Sequence, residues 1–67
     1  MMEITVNGQV ESIEDGVRID ELISRYNLSP KAVIVEYNGA VLTGAARGTQ
    51  QLSQGDRVEL IQIVGGG

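Results

Sequence analysis

The sequence contains no cysteine and no histidine. These two absences exclude disulfide bonds, thiolate chemistry, the imidazole base of a Ser-His-Asp arrangement and most zinc sites. We therefore expect no bound metal or cofactor, and no catalysis by those side chains. Any chemistry that the protein supports must use another group.

Basic residues are also few, because five Lys and Arg stand against nine Asp and Glu, which gives a formal net charge of −4. Binding to nucleic-acid phosphates needs clustered Lys and Arg, so we expect no nucleic-acid partner. No apolar run approaches the ~18 residues that cross a bilayer, and the N-terminus lacks the basic and apolar segments of a signal peptide. We expect a cytoplasmic protein without a membrane partner.

The length and the last three residues predict the domain organisation. A chain of 67 residues is one small domain, which buries only about 60% of the surface that its unfolded chain exposes. The three glycines at the end have no side chains to pack and a large backbone entropy to lose. We predict one domain over residues 1–64 and a flexible tail over residues 65–67.

Polar and apolar residues alternate in several short segments, which is typical of strands. Asn7-Gly8 and Asn38-Gly39 tolerate the positive φ angles of tight hairpin turns, and we interpret them as turn chemistry and nothing more. Gln54-Gly55-Asp56 turns the chain into the last strand. The predicted strands cover residues 3–6, 9–13, 32–37, 40–42 and 57–64.

One segment has the period of a helix, because Ile19, Leu22, Ile23 and Tyr26 stand at i, i+3, i+4 and i+7 and share one face. Asn27 is predicted to end this helix in a left-handed conformation, before Ser29-Pro30. The acidic residues around its start suit the positive end of the helix dipole, and we interpret them as structural or solvent-facing rather than as a general acid and base: Glu14, Asp15, Asp20 and Glu21.

The segment 43–51 has no clear period, and it predicts a loop or a poorly formed turn of helix, after which Leu52 returns to the core. The order of elements admits few architectures in so short a chain. We predict an α+β domain with a mixed sheet of four to five strands and one main helix across one face. The last strand should lie centrally, beside the first strand and parallel to it.

Five quoted segments carry a resemblance that covers the whole chain: "VNG" near the start, the helix "IDELISRY", "VEYNG", "QGDRVEL" and the end "VGGG". Together they resemble the ThiS family of bacterial thiamine-biosynthesis sulfur carriers, which have the β-grasp fold of ubiquitin. In that family the tail is a small residue followed by Gly-Gly. Gly65 matches the small position, and Gly66-Gly67 match the pair.

The resemblance implies a cycle in which the chain end is the reacting group. A ThiF-type adenylyltransferase uses ATP to adenylate the carboxylate of Gly67, and a cysteine desulfurase-derived persulfide converts it to a thiocarboxylate. The thiocarboxylate then donates sulfur to a ThiG-type thiazole synthase, so the protein is a co-substrate and not an enzyme. Gly65 and Gly66 would let the tail thread a narrow channel, because they lack Cβ atoms.

Strand parity predicts a surface for these partners. If Val58 and Leu60 face the helix, then Glu59, Ile61 and Ile63 face the opposite side of the sheet. The same parity places Val33, Val35 and Tyr37 in the core and Ile34 outside. An exposed apolar patch usually marks an interface. The alternatives are that residues 43–51 fold over the patch or that the parity slips at a bulge.

Two other functions stay open at this point. A related carrier could serve molybdopterin synthesis or another thiolation pathway, although the molybdopterin subunit is usually longer. A ubiquitin-like binding module would act through its surface alone, without chemistry at the tail.

Overall fold

The computed structural model describes residues 1–64, and the predicted tail of Gly65, Gly66 and Gly67 lies outside the described residues. The described part contains five strands and two α-helices. A short 3-10 turn over Pro30–Ala32 leads into the third strand. In chain order the elements are β1 (Met2–Val6), β2 (Gln9–Ile13), α1 (Ile19–Arg25), β3 (Val33–Tyr37), β4 (Ala40–Leu42), α2 (Gly44–Thr49) and β5 (Arg57–Gln62).

The strands form one mixed sheet in the order β2-β1-β5-β3-β4. β5 pairs with β1 in parallel, with Thr5 opposite Arg57 and Val6 opposite Val58. The other three pairings are antiparallel. The predicted mixed sheet, with its last strand central and parallel to the first, is confirmed, and the described residues give it five strands.

The two Asn-Gly turns have positive φ at both central residues, with 50° and 83° at Asn7 and Gly8 and 51° and 88° at Asn38 and Gly39. They are therefore hairpin turns, as predicted. The interpretation that they do nothing more is wrong, because both asparagine side chains also bind β5. The Oδ1 atom of Asn7 accepts the N–H of Leu60 at 2.9 Å, and that of Asn38 accepts the N–H of Arg57 at 2.8 Å.

Helix α1 begins after Arg18, whose backbone N–H donates to Oε1 of Glu21 at 3.3 Å. Its last helical residue is Arg25, and Asn27 has the predicted left-handed conformation just beyond it, with φ at 57°. The N–H of Leu28 donates to the carbonyl of Ile23, and the N–H of Asn27 donates to that of Ser24, which is the Schellman pattern. A helix of seven residues is marginal by itself, so its stability depends on its packing.

The core lies between α1 and one face of the sheet. The apolar residues of α1 are buried at the predicted positions, and Tyr26 packs against them in part. Val33 and Val35 are buried as predicted, while Tyr37 is half-buried beside the same cluster. The buried apolar residues are Met2, Ile4, Val6, Ile13, Val17, Ile19, Leu22, Ile23, Val33, Val35, Leu52, Val58 and Leu60.

Residues 43–51 contain helix α2, so the helical one of the two predicted alternatives is correct. The segment is held beside α1 by backbone hydrogen bonds. The N–H of Ile19 donates to the carbonyl of Gln50 at 3.0 Å, and the N–H of Leu52 donates to that of Val17 at 2.9 Å. Leu52 is buried, as predicted.

Strand β5 ends at Gln62, two residues before its predicted end at Val64. The reason lies in its neighbour, because Gln62 pairs with Val33, the first residue of β3. Before Val33 the chain forms the 3-10 turn instead of a strand. One further hydrogen bond follows, from the N–H of Ile63 to the carbonyl of Ala32 at 2.8 Å.

Candidate functional site

The face of the sheet opposite α1, which we call the outer face, carries an apolar patch. Ile34 and Ile61 stand directly opposite each other on β3 and β5, and they are 40% and 41% exposed. Ile63 follows one residue after β5 and is 49% exposed. We call these three residues the isoleucine patch, and all three were predicted from strand parity.

The remainder of the described chain does not cover the isoleucine patch. Helix α2 lies against α1 on the other side of the sheet, where Gly48 approaches the carboxylate of Asp20 so closely that a Cβ atom would stand 2.5 Å from Oδ2. The pairing of β3 with β5 also runs without a bulge from Val33 to Tyr37. Neither alternative to an exposed patch is therefore observed, and the role of the patch in binding stays a prediction.

Glu59, the remaining predicted partner-binding residue, is exposed on the outer face and pairs across the strands with Glu36. Both glutamates line a shallow depression together with Asn38, Gly39 and Arg57. On the next strand Val41 stands opposite Glu36 and is 57% exposed. Sequence reasoning missed Glu36 and Val41 as members of this face, although the parity of β3 and β4 contained the signal.

The base of the predicted tail lies at the end of the central strand. β5 runs past Ile61 and ends at Gln62, and Val64 is 93% exposed. The chain therefore leaves the sheet next to the isoleucine patch. The predicted reactive residue Gly67 and the threading residues Gly65 and Gly66 lie outside the described residues, so their roles stay predictions.

Asp56 is the centre of a buried hydrogen-bond network that the sequence did not reveal. Its Oδ2 atom accepts the hydroxyl of Tyr37 at 2.6 Å and the N–H of Ser53 at 2.7 Å, and its Oδ1 atom accepts Nδ2 of Asn38 at 3.1 Å. The hydrogen bond to Asp56, together with burial, raises the pKa of Tyr37 to about 12. The network joins the β3–β4 turn to the start of β5. Every polar group in it has a hydrogen-bond partner, so we interpret the network as structural.

Three of the four acidic residues near the start of α1 contact other groups of the domain, in agreement with the structural part of the prediction. Glu14 accepts two hydrogen bonds from the guanidinium of Arg25, at 3.1 and 2.6 Å. These bonds hold the pKa of Glu14 at about 2. Asp15 lies 3.6 Å from the amino group of Met1, and Glu21 caps α1.

Residues 1–64 bear on other kinds of site in three respects. They contain no group of three or more Asp, Glu, His or Cys residues that could hold a metal ion. In the same residues every buried side-chain nitrogen or oxygen has a hydrogen-bond partner. Among the helices of this part of the chain, none has the length and apolar character needed to cross a membrane.

The mixed five-stranded sheet, with its main helix on one face and an exposed apolar patch on the other, defines a ubiquitin-like β-grasp protein. The model of the ThiS family matches residues 2–67 of the chain. The chain belongs to the ThiS family.

Solved structures of a thiamine biosynthesis protein (ThiS) from Geobacter metallireducens are similar to this chain, with 33% sequence identity. The crystal structure has a TM-score of 0.80 and covers 98% of this chain and 100% of that chain. The NMR solution structure has a TM-score of 0.78 and covers 98% of this chain and 88% of that chain.

A thiazole synthase from Magnetococcus marinus is 32% identical over 66 residues. The match covers 98% of this chain but only 20% of that protein. The chain therefore spans about one fifth of the length of this relative.

Proposed function

We propose that this ThiS family member carries sulfur for thiazole formation in thiamine biosynthesis, as a co-substrate and not as an enzyme. The observation that carries the proposal is the family match, which runs from residue 2 through the three glycines to Gly67. A relative of 33% identity is described as a thiamine biosynthesis protein, which supports the pathway.

The proposed chemistry uses the main-chain carboxylate of Gly67. That carboxylate attacks the α-phosphate of ATP and displaces pyrophosphate, which leaves an acyl adenylate. The terminal sulfur of a persulfide then displaces AMP, and a thiol cleaves the remaining S–S bond to leave the thiocarboxylate. No side chain of the carrier takes part, and the absence of Cβ atoms at Gly65 and Gly66 lets the carboxylate reach an active site in the partner.

The proposed partners are a ThiF-type adenylating enzyme, a persulfide donor supplied by a cysteine desulfurase, and a ThiG-type thiazole synthase. The Magnetococcus relative supports the last of these, because a protein described as a thiazole synthase contains a segment similar to this chain. A carrier and an enzyme on one polypeptide meet at a high effective concentration. Separate proteins need a binding surface instead.

The isoleucine patch and Glu59 are the surface that we propose for docking. An exposed apolar patch costs solubility, so it is usually retained where a partner covers it. The chain leaves the sheet beside this patch after Gln62. A partner that covers the outer face is therefore placed to receive the tail.

Intact-mass spectrometry tests the proposal. Incubation with ATP, a sulfur source and the adenylating enzyme should give the mass change of one oxygen replaced by sulfur. Addition of thiazole synthase and its substrates should return the mass to that of the unmodified chain. A binding module without tail chemistry would show neither change, and a carrier for another pathway would show only the first.

A chain with one alanine appended after Gly67 should gain no sulfur, because its carboxylate lies one residue farther along and follows a side chain. The melting transition of the folded part should be unchanged, which separates loss of chemistry from loss of fold. If the extended chain gains sulfur without being trimmed, Gly67 is not the reactive residue.

A further inference from the structure

Two like charges stand opposite each other on the outer face. Glu36 on β3 and Glu59 on β5 are direct partners in the antiparallel register. Side chains in such a pair have Cβ atoms about 4.5–5.5 Å apart, and like charges at that spacing destabilise a sheet. The free protein therefore keeps an unfavourable pair on a surface where almost any polar residue would avoid the repulsion.

The described residues do not neutralise this pair. The ion pairs within residues 1–64 join Met1 to Asp15 and Arg25 to Glu14, and neither involves Glu36 or Glu59. Arg57 lines the same depression, but it forms no ion pair with either glutamate within that part of the chain. Two negative charges and one positive charge leave the depression with a net negative charge.

The depression is also continuous with apolar surface. On the outer face, the next pair of β3 and β5 toward the chain end is Ile34 with Ile61, and Val41 lies opposite Glu36 on β4. These neighbours are 40%, 41% and 57% exposed, respectively. The two carboxylates are therefore bordered by apolar side chains that a partner would cover. The loss of water there would strengthen an ion pair between these carboxylates and a cation of the partner.

We infer that an arginine of the adenylating enzyme binds between Glu36 and Glu59 when this partner covers the isoleucine patch. A guanidinium has a planar fork of five N–H donors that can bridge two carboxylates, while its aliphatic stem packs on apolar neighbours such as Val41. The glutamate pair then selects the partner by charge and sets its register on the sheet. This inference rests on the proposed function, because it assigns the chemistry of the surface that meets the carrier.

The test compares Glu36→Gln, Glu59→Gln and the double variant with wild type. Each single variant should bind the adenylating enzyme roughly tenfold more weakly in titration calorimetry. The affinity of the double variant should also depend less on salt. In the free protein each single variant should raise the Tm by about 1–4 °C, because it removes the repulsion.

Glu11→Gln is the matched control, since it removes the same charge from a residue opposite Ile4, on the helix side of the sheet. It should change the affinity less than about twofold. If it weakens binding as much as the outer-face variants, only net charge matters and the inference is overturned. An unchanged Tm and affinity in Glu36→Gln and Glu59→Gln overturn it as well.

The mass assay separates this inference from the proposed function. If wild type gains sulfur and both glutamine variants bind and gain sulfur equally well, the arginine contact is wrong while the carrier function stands. If wild type gains no sulfur with its adenylating enzyme, the proposed function fails, and the inference fails with it.

Discussion

Asp56 shows how one side chain can hold three parts of this small domain together. It is 8% exposed and is the buried charged residue of the described chain. Its carboxylate accepts hydrogen bonds from Tyr37, Asn38 and Ser53, and its backbone carbonyl accepts the N–H of Thr5 at 2.9 Å. The network therefore fixes the entry to β5, the strand that carries Ile61 and leads to the tail.

We expect Asp56→Ala to lower the free energy of unfolding by about 2–4 kcal/mol, because it leaves three donors without their acceptor. A domain of 67 residues has a total stability of about 3–10 kcal/mol, so this loss is large. Urea denaturation measures it. Asp15→Ala, at a residue whose side chain is 80% exposed, should cost less than about 0.5 kcal/mol, and equal losses in the two variants would contradict the structural role of the network.

The pKa of Tyr37 predicts a loss of stability in alkali. Its pKa is raised from 10.0 to about 12 in the folded protein, so the folded state holds the phenolic proton more tightly than the unfolded state. This contribution is fully present below pH 10 and is lost as the pH rises from 10 to about 12. We expect a decrease of about 1 kcal/mol after allowance for the partial exposure of the ring.

Tyr37→Phe is the control for this pH dependence. The variant should be less stable below pH 10, because the hydrogen bond to Asp56 is gone. Its further decrease between pH 10 and 12 should be smaller than that of wild type, because position 37 no longer titrates. Urea denaturation at several pH values measures both losses. An equal decrease in the free energy of unfolding of the two proteins between pH 10 and 12 would refute the role assigned to Tyr37.

The contact between the two helices depends on a glycine. Gly48 in α2 has no Cβ, and an added one would stand 2.5 Å from Oδ2 and 2.9 Å from Cγ of Asp20 in the first turn of α1. Inside a helix, alanine is more favourable than glycine by about 0.5–1 kcal/mol. Overpacking against Asp20 opposes that gain. The difference between the two effects decides whether Gly48→Ala stabilises or destabilises the domain.

We expect Gly48→Ala to be neutral or destabilising by up to about 1 kcal/mol in wild type, and stabilising by about 0.5 kcal/mol when Asp20 is also alanine. A double-mutant cycle measured by denaturation should therefore give a coupling energy of at least about 0.5 kcal/mol between the two positions. Additive effects would show that α2 does not pack on α1 as described.

The elements that the sequence predicted well are those with local signals. The Asn-Gly turns, the four apolar positions of α1 and its end at Asn27 depend on residues that are neighbours in sequence. The end of β5 was predicted two residues too late because it depends on where its partner β3 begins, and no local pattern contains that information. Helix α2 lacks a buried apolar residue and is held by contacts with α1, so its own periodicity is weak.

The candidate site also contains features that local patterns predicted and features that depend on residues distant in sequence. Strand parity alone predicted that Ile34, Glu59, Ile61 and Ile63 face away from the helix. It did not predict that Glu59 stands beside Glu36, because a cross-strand pair depends on the register between β3 and β5. The network of Asp56 was missed for a related reason, since its partners Tyr37 and Asn38 are separated from it by 19 and 18 residues.

The molecule has two layers, with the helices on one side of the sheet and no described layer on the other. The core side takes alternate residues of the strands, as in β1, where the burial of successive residues alternates. Residues 1–64 supply no layer for the outer face, so this face stays in water unless a partner covers it. Apolar and acidic residues on that face therefore bear on association more than on folding.

Ile61→Asp separates association from folding. Ile61 is 41% exposed and lies outside the core cluster, so we expect the free energy of unfolding to decrease by less than about 1 kcal/mol. Binding to the two proposed partners, the adenylating enzyme and thiazole synthase, should weaken at least tenfold, because a charge enters the centre of a desolvated contact. Val10→Asp places a charge on the same face, but on edge strand β2, two strands from β5, opposite Thr5 and 68% exposed. Because it lies outside the isoleucine patch, it should leave both affinities close to wild type. Melting curves and titrations of the two variants decide the matter: a collapse of the fold in Ile61→Asp would place this side chain in the core, and equal affinities for the two variants would remove the isoleucine patch from recognition.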